Sequence, residues 1–149
     1  MALANQTKAP DFTLPSTSGE DFSLYNDMSG KPCIIYFYPK DFTRGCTKEA
    51  CSFRDTHEEF KGLDIEIFGI SKDSIETHLK FKKEYQLPFD LLSDKSGDVC
   101  KKYKALIPVI GIPKRITYLL DKDHKIVASF DNMFDFNGHI KEMIKQVKS

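Results

Sequence analysis

The run CIIYFYPKDFTRGCTKEAC, residues 33–51, decides how this chain folds. Cys33 to Tyr38 is continuously apolar, the composition of a strand buried on both faces. Pro39 closes it and a helical pattern follows, so the segment reads as a strand that delivers Cys46 to the start of a helix over about 44–60. Asp41 or Thr43 is placed to cap the first turn. Ala50, Phe53, His57 and Phe60 form one apolar stripe that also contains Cys46. Helix starts carry unpaired N–H groups and the positive end of the dipole, a setting that favours a thiolate. Thr43 can bring a hydroxyl toward that sulfur. Arg44 is a nearby cation, and Arg115, opening a later strand, can reach the same pocket from across the sheet.

Cys51 lies on the polar side of the same helix, with Asp55 and Glu58, closer to solvent than Cys46. Five residues of ideal helix advance about 7.5 Å and turn about 500°, which leaves the two Cα atoms roughly 8 to 9 Å apart. A disulfide tolerates only about 7 Å. Either the pair is never bonded, or bonding it unwinds the first turns.

Upstream, FTLPSTSGEDFSLY places two short alternating segments around Ser16 to Gly19 and reads as a hairpin. Downstream, Leu63 to Ile70 suits a strand, and a helix capped by Ser74 runs to about Gln86 with Leu79 and Tyr85 among its apolar positions. Phe89 to Leu92 is a short strand, and Asp98 to Tyr103 a short helix carrying Cys100. Ala105 to Pro113, with two prolines and a glycine, is an apolar loop expected to cap the core or rim a pocket. Strands Arg115 to Leu120 and Lys125 to Phe130 form a second hairpin, and a last helix spans about 137–147. With no repeat or linker, residues 1–149 read as one α/β domain with a mixed sheet.

The charge balance, 22 basic against 22 acidic residues, gives no field that would draw the chain to nucleic acid or an anionic membrane. The start MALANQTKAPDF lacks a secretory apolar run, and no stretch has the length of a membrane span, so a cytoplasmic protein is expected. The four cysteines then read as thiols or redox groups rather than a disulfide framework. Cys33 and Cys100 read as small buried apolar residues.

PKDFTRGC fits the Pro-x-x-x-Thr-x-x-Cys signature of the peroxiredoxins, with Pro39, Thr43 and Cys46 in register. TKEACSFRD resembles the bacterioferritin comigratory protein and peroxiredoxin Q subgroup, and the likeness runs from APDFTLP to PKRITYLLD. The resemblance implies a thioredoxin-like fold: a mixed central sheet flanked by helices, with an N-terminal β-hairpin. It implies a thiol peroxidase serving antioxidant defence, with Cys46 attacking hydrogen peroxide or an organic hydroperoxide and becoming a sulfenic acid. By the same resemblance Thr43 hydrogen-bonds the peroxide, Pro39 shields the sulfenate, Arg115 stabilises the thiolate and the departing oxygen, and Cys51 resolves the sulfenic acid as an intramolecular disulfide. Glu49 matches the subgroup pattern, as a residue supporting the site or as a solvated helix carboxylate. Thioredoxin or a similar dithiol is the implied reductant, no cofactor or metal is implied, and a monomer or weak dimer is expected. Cys100 stays open as an alternative resolving residue.

Two other chemistries fit less well. Thiol–disulfide oxidoreductases place Cys-x-x-Cys at the helix start, whereas four residues separate Cys46 from Cys51. A zinc module on Cys46, Cys51 and His57 lacks the short spacings and fourth ligand such sites use.

Overall fold

The computed structural model describes residues 2–148. In chain order it contains β1 (Thr13–Pro15), β2 (Asp21–Ser23), α1 (Leu24–Asp27), β3 (Cys33–Phe37), α2 (Arg44–Asp55), α3 (His57–Gly62), β4 (Glu66–Ser71), α4 (Ile75–Glu84), β5 (Asp90–Ser93), α5 (Asp98–Lys102), β6 (Ile116–Leu120), β7 (Ile126–Asp131) and α6 (Phe136–Lys148). β1 and β2 make the expected antiparallel N-terminal hairpin. The main sheet has the order β5-β4-β3-β6-β7, with β3 parallel to β4 and antiparallel to β6.

The central strand is buried along its whole length because both faces are covered. Ile34 and Tyr36 point into a cluster with Cys46, Ala50, Phe53, Phe60 and Phe81. Cys33, Ile35 and Phe37 point the other way, into a cluster with Phe12, Phe22, Val99, Cys100 and Tyr103. The sheet therefore separates Cys46 from both Cys33 and Cys100. β3 ends where Tyr38 and Pro39 begin the loop to α2, so the sheet centre sets where that helix starts.

Several local expectations change. The helix expected over 44–60 is two helices broken at Thr56, whose hydroxyl donates to the Ser52 carbonyl at 2.9 Å and competes with the backbone ladder. Asp41 does not cap α2: it is buried, accepting from the Tyr38 hydroxyl at 2.6 Å and pairing with His78 Nδ1 at 2.6 Å. Ser74 does cap α4, accepting from Thr77 N, but the inward positions of that helix are His78 and Phe81, while Leu79 is exposed. His78 can face inward because both ring nitrogens meet oxygens, of Asp41 and of the Leu92 carbonyl.

The loop 105–113 buries only its ends, Ala105 and Pro113, and leaves Val109, Ile110 and Ile112 exposed. Only its start packs on the core, through Ala105 and the partly buried Leu106. Ile112 and Pro113 instead rim an open groove with Pro39, Lys40, Lys72 and Asp73. Among the described residues no helix is long and apolar enough to cross a membrane.

Candidate active site

α2 begins at Arg44, with Thr43 as its N-cap in an extended conformation. Its first intrahelical bond, Thr47 N to Thr43 O at 2.9 Å, leaves the N–H groups of Arg44, Gly45 and Cys46 without helical partners. Cys46 thus sits in the first turn, at the positive end of the helix, 1% exposed.

Arg115 arrives from the residue before β6 and joins the site across β3. Its Nη2 donates to Cys46 Sγ at 3.2 Å, its Nη1 to Glu49 Oε1 at 2.7 Å and its Nε to the Met133 carbonyl at 2.9 Å. One buried guanidinium is shared between a sulfur and a carboxylate one helical turn apart, its plane fixed by a carbonyl beyond β7. Arg44, the nearer cation in sequence, is exposed. A fixed guanidinium in a dry site can donate a charge-assisted hydrogen bond to an anionic sulfur, and to negative charge passed to an oxygen beside it.

Glu49 is fully buried, so it is not a solvated helix carboxylate. Burial pushes its acid up to about 7, against the lowering effect of the Arg115 charge and hydrogen bond. Its Oε2 makes no hydrogen bond and lies 3.6 Å from His139 Nδ1. His139, from α6, is buried against Thr117 Oγ1 at 2.8 Å and the Asn132 carbonyl at 2.6 Å. Burial pulls it down to about 4, which makes the ring neutral, with Nε2–H donating to Asn132 and Nδ1 accepting from Thr117.

Thr43 is exposed and its hydroxyl donates to the Lys40 carbonyl at 2.8 Å, not to the sulfur. With its hydrogen committed, the oxygen has only lone pairs to offer a third group. Pro39 is half-buried at the groove edge. Cys51 is half-buried in α2, all four cysteines are free, and α2 is continuous between Cys46 and Cys51. Asp41, Asp73 and His78 are the one trio of potential metal ligands, among the described residues, whose atoms lie within 4.8 Å of one another. Most of those atoms already bond Tyr38, Ser71, Leu92 and each other. Cys46, Cys51 and His57 form no such trio.

Residues 6–129 match the AhpC/TSA family. A peroxiredoxin bcp of Coxiella burnetii is 43% identical over 97% of this chain and 98% of its own length. A chloroplastic peroxiredoxin Q of Sedum lineare is 45% identical over 94% of this chain and 75% of its own. The crystal structure of peroxidoxin BcpB of Mycobacterium tuberculosis superposes with a TM-score of 0.90 at 31% identity, covering 97% of this chain and 96% of that one. The chain belongs to the AhpC/TSA family, among the peroxiredoxins. It is accordingly a peroxidase-type oxidoreductase on a thioredoxin-like fold.

In this peroxiredoxin the site draws on Phe136 and His139, which the sequence did not single out, and on Asp41 in a role other than the expected cap. Phe136 lies over Arg115, with the guanidinium carbon 4.7 Å from the ring centroid. His139 faces Glu49, and Asp41 ties the loop before α2 to α4. All come from segments whose convergence depends on the tertiary fold.

The buried Glu49 and His139 leave opposing marks on stability. Glu49 binds its proton more tightly folded than unfolded, so its contribution is fully present below about 4.5 and is lost as pH rises through about 7. His139 does the reverse: its contribution is present above about 6.5 and is lost as pH falls through about 4. Across the shared window the slopes offset, each being ~1.4 kcal/mol per pH unit. His139→Gln should therefore fall progressively behind the unsubstituted chain in urea melts as pH rises from 4.5 to 6.5. Parallel stability curves for the two chains would refute the assignment of His139 as a buried neutral ring.

Proposed function

We propose that this protein reduces hydrogen peroxide and organic hydroperoxides through Cys46, with Cys51 as resolving thiol and a dithiol protein such as thioredoxin as reductant, in cytoplasmic antioxidant defence. The observation that carries this reading is the Arg115 guanidinium donating to Cys46 Sγ at the first turn of α2. The Cys46 thiolate attacks one peroxide oxygen, the O–O bond breaks, and the other oxygen leaves as hydroxide or alkoxide and takes up a proton. Cys46 is then a sulfenic acid. Arg115 stabilises charge first on sulfur and then on the departing oxygen, a role suited to donors already in place.

Thr43, its own hydrogen bonded to Lys40 O, accepts from the peroxide O–H and orients the substrate. Pro39 limits approach to the sulfenic acid from the groove side. The Cys51 thiol then displaces water from the sulfenic sulfur, and two thiol–disulfide exchanges with the dithiol partner restore the reduced pair. Half-burial gives Cys51 the better access to such a partner.

The position of the sheet argues against Cys100 as resolver. Cys46 and Cys100 belong to clusters on opposite faces, and burial pushes the Cys100 thiol far up. After one equivalent of hydrogen peroxide, non-reducing peptide mapping should return a Cys46–Cys51 link. A dominant Cys46–Cys100 link would overturn the assignment of Cys51.

A further inference from the structure

Gly45 stands between Arg44 and Cys46, and its small size has a specific cause. A Cβ there would lie 2.5 Å from Phe136 Cζ and 2.6 Å from Cε1, with Arg115 Nη2 at 3.2 Å. The Phe136 ring, from the first residue of α6, is thus pressed onto the backbone beside the reactive cysteine while its face covers the Arg115 guanidinium. The next residue, Asn137, accepts from the Ser52 hydroxyl at 3.2 Å, beside Cys51. The start of α6 touches α2 next to both cysteines.

We propose that Phe136 is a positioning residue of the peroxidase site: its ring holds the Arg115 guanidinium against Cys46 Sγ and keeps water from the exposed side of that pair. The physical case rests on where Arg115 finds partners. Two edges of its fork are fixed by Glu49 Oε1 and the Met133 carbonyl, and the third meets the sulfur. A flat cation fixed only in its plane can still tilt. The ring covers one face, with the guanidinium carbon 4.7 Å from its centroid, and an aromatic face attracts a guanidinium more strongly as the pair is desolvated. Excluding water also strengthens the donation to sulfur, since charge interactions grow as the local dielectric falls. The close fit to Gly45 makes this a three-way contact of ring, guanidinium and first helical turn, which a flexible aliphatic side chain cannot reproduce.

This inference rests on the reading of Cys46 as the peroxide-reactive thiol, and the test separates the two. The chain has no tryptophan, so Cys46 oxidation is followed by quenched-flow mass spectrometry with hydrogen peroxide. Phe136→Leu keeps apolar bulk and removes the π face. It should slow Cys46 oxidation about tenfold and move the pH profile of Cys46 alkylation by iodoacetamide to higher pH. In an Arg115→Gln background the Phe136→Leu loss should nearly vanish, because the ring then has no guanidinium to hold. An undiminished loss in that background, or a Phe136→Leu chain with unchanged rate and pH profile, overturns the proposal. If Phe136→Leu does not fold, Phe136→Met serves in its place. If the unsubstituted chain shows no peroxide-dependent loss of the Cys46 thiol, the functional reading falls and the proposal falls with it.

Discussion

Cys46→Ser is expected to lose peroxide consumption with dithiothreitol as reductant by at least about a thousandfold, to the level of the uncatalysed reaction. The size of the loss follows from what Arg115 has to work with. A thiolate is a strong nucleophile, and a guanidinium donor and a helix start are surroundings that favour an anion. A serine hydroxyl in the same place stays protonated, so the same donors face a neutral oxygen and no sulfenic acid forms. Because Arg115 and Glu49 keep their own contact in that variant, the fold should survive and the loss should be chemical. Cys51→Ser should behave differently: without dithiothreitol its first turnover proceeds, and it then accumulates Cys46 sulfenic acid or its overoxidised forms. Cys33→Ser and Cys100→Ser should leave turnover intact, since both thiols lie on the other face of the sheet and burial pushes Cys33 up to about 12 and Cys100 further. Retained turnover in Cys46→Ser would sink the peroxidatic assignment whatever the other variants do.

What could be read from the sequence divides along a physical line. The central strand was legible because both its faces are buried, and a strand covered twice writes an uninterrupted apolar run. The Ser74 cap and the two hairpins were legible because turn and cap chemistry is local. The break at Thr56 was not: it turns on a hydroxyl choosing the Ser52 carbonyl within a pattern that otherwise continues. Cys46 and Thr43 could be placed at a helix start from neighbours alone. Glu49 could not be separated from a surface glutamate, because its burial depends on an arginine 66 positions away. Phe136 had no signal at all, since one more aromatic residue at a helix start resembles any core position until α6 is laid against α2. His78 misled the phase of α4 for the same reason, its inward orientation being set by Asp41, 37 positions earlier.

Oxidation to the Cys46–Cys51 disulfide is expected to abolish slow amide exchange over residues 43–53, by two orders of magnitude or more in rate, and to lower far-ultraviolet helicity. The intact helix keeps the two Cα atoms roughly 8 to 9 Å apart, beyond the reach of a disulfide. Bonding therefore needs the first turns of α2 to open, and the contacts that must break can be named: Arg115 to the sulfur, Phe136 on Gly45, and Ser52 to Asn137. One local feature favours opening. Phe42, just before the cap, holds φ +66°, a left-handed conformation that a bulky residue adopts at a cost of about 1–3 kcal/mol. Its ring is kept there by packing at 5.1 Å against Phe81, and the strain is released when the turn unwinds. The opening should also have limits. Upstream, Asp41 is held by Tyr38, His78 and its own N–H donated to Asp73 Oδ2; downstream, Arg54 donates to the Tyr85 carbonyl at 2.8 Å. The Asp41 amide and those beyond Arg54 should thus keep their protection while the segment between them loses it. Unchanged exchange across 43–53 in fully oxidised protein would count against unwinding, and loss of protection spreading into α4 would show that these two anchors do not bound it.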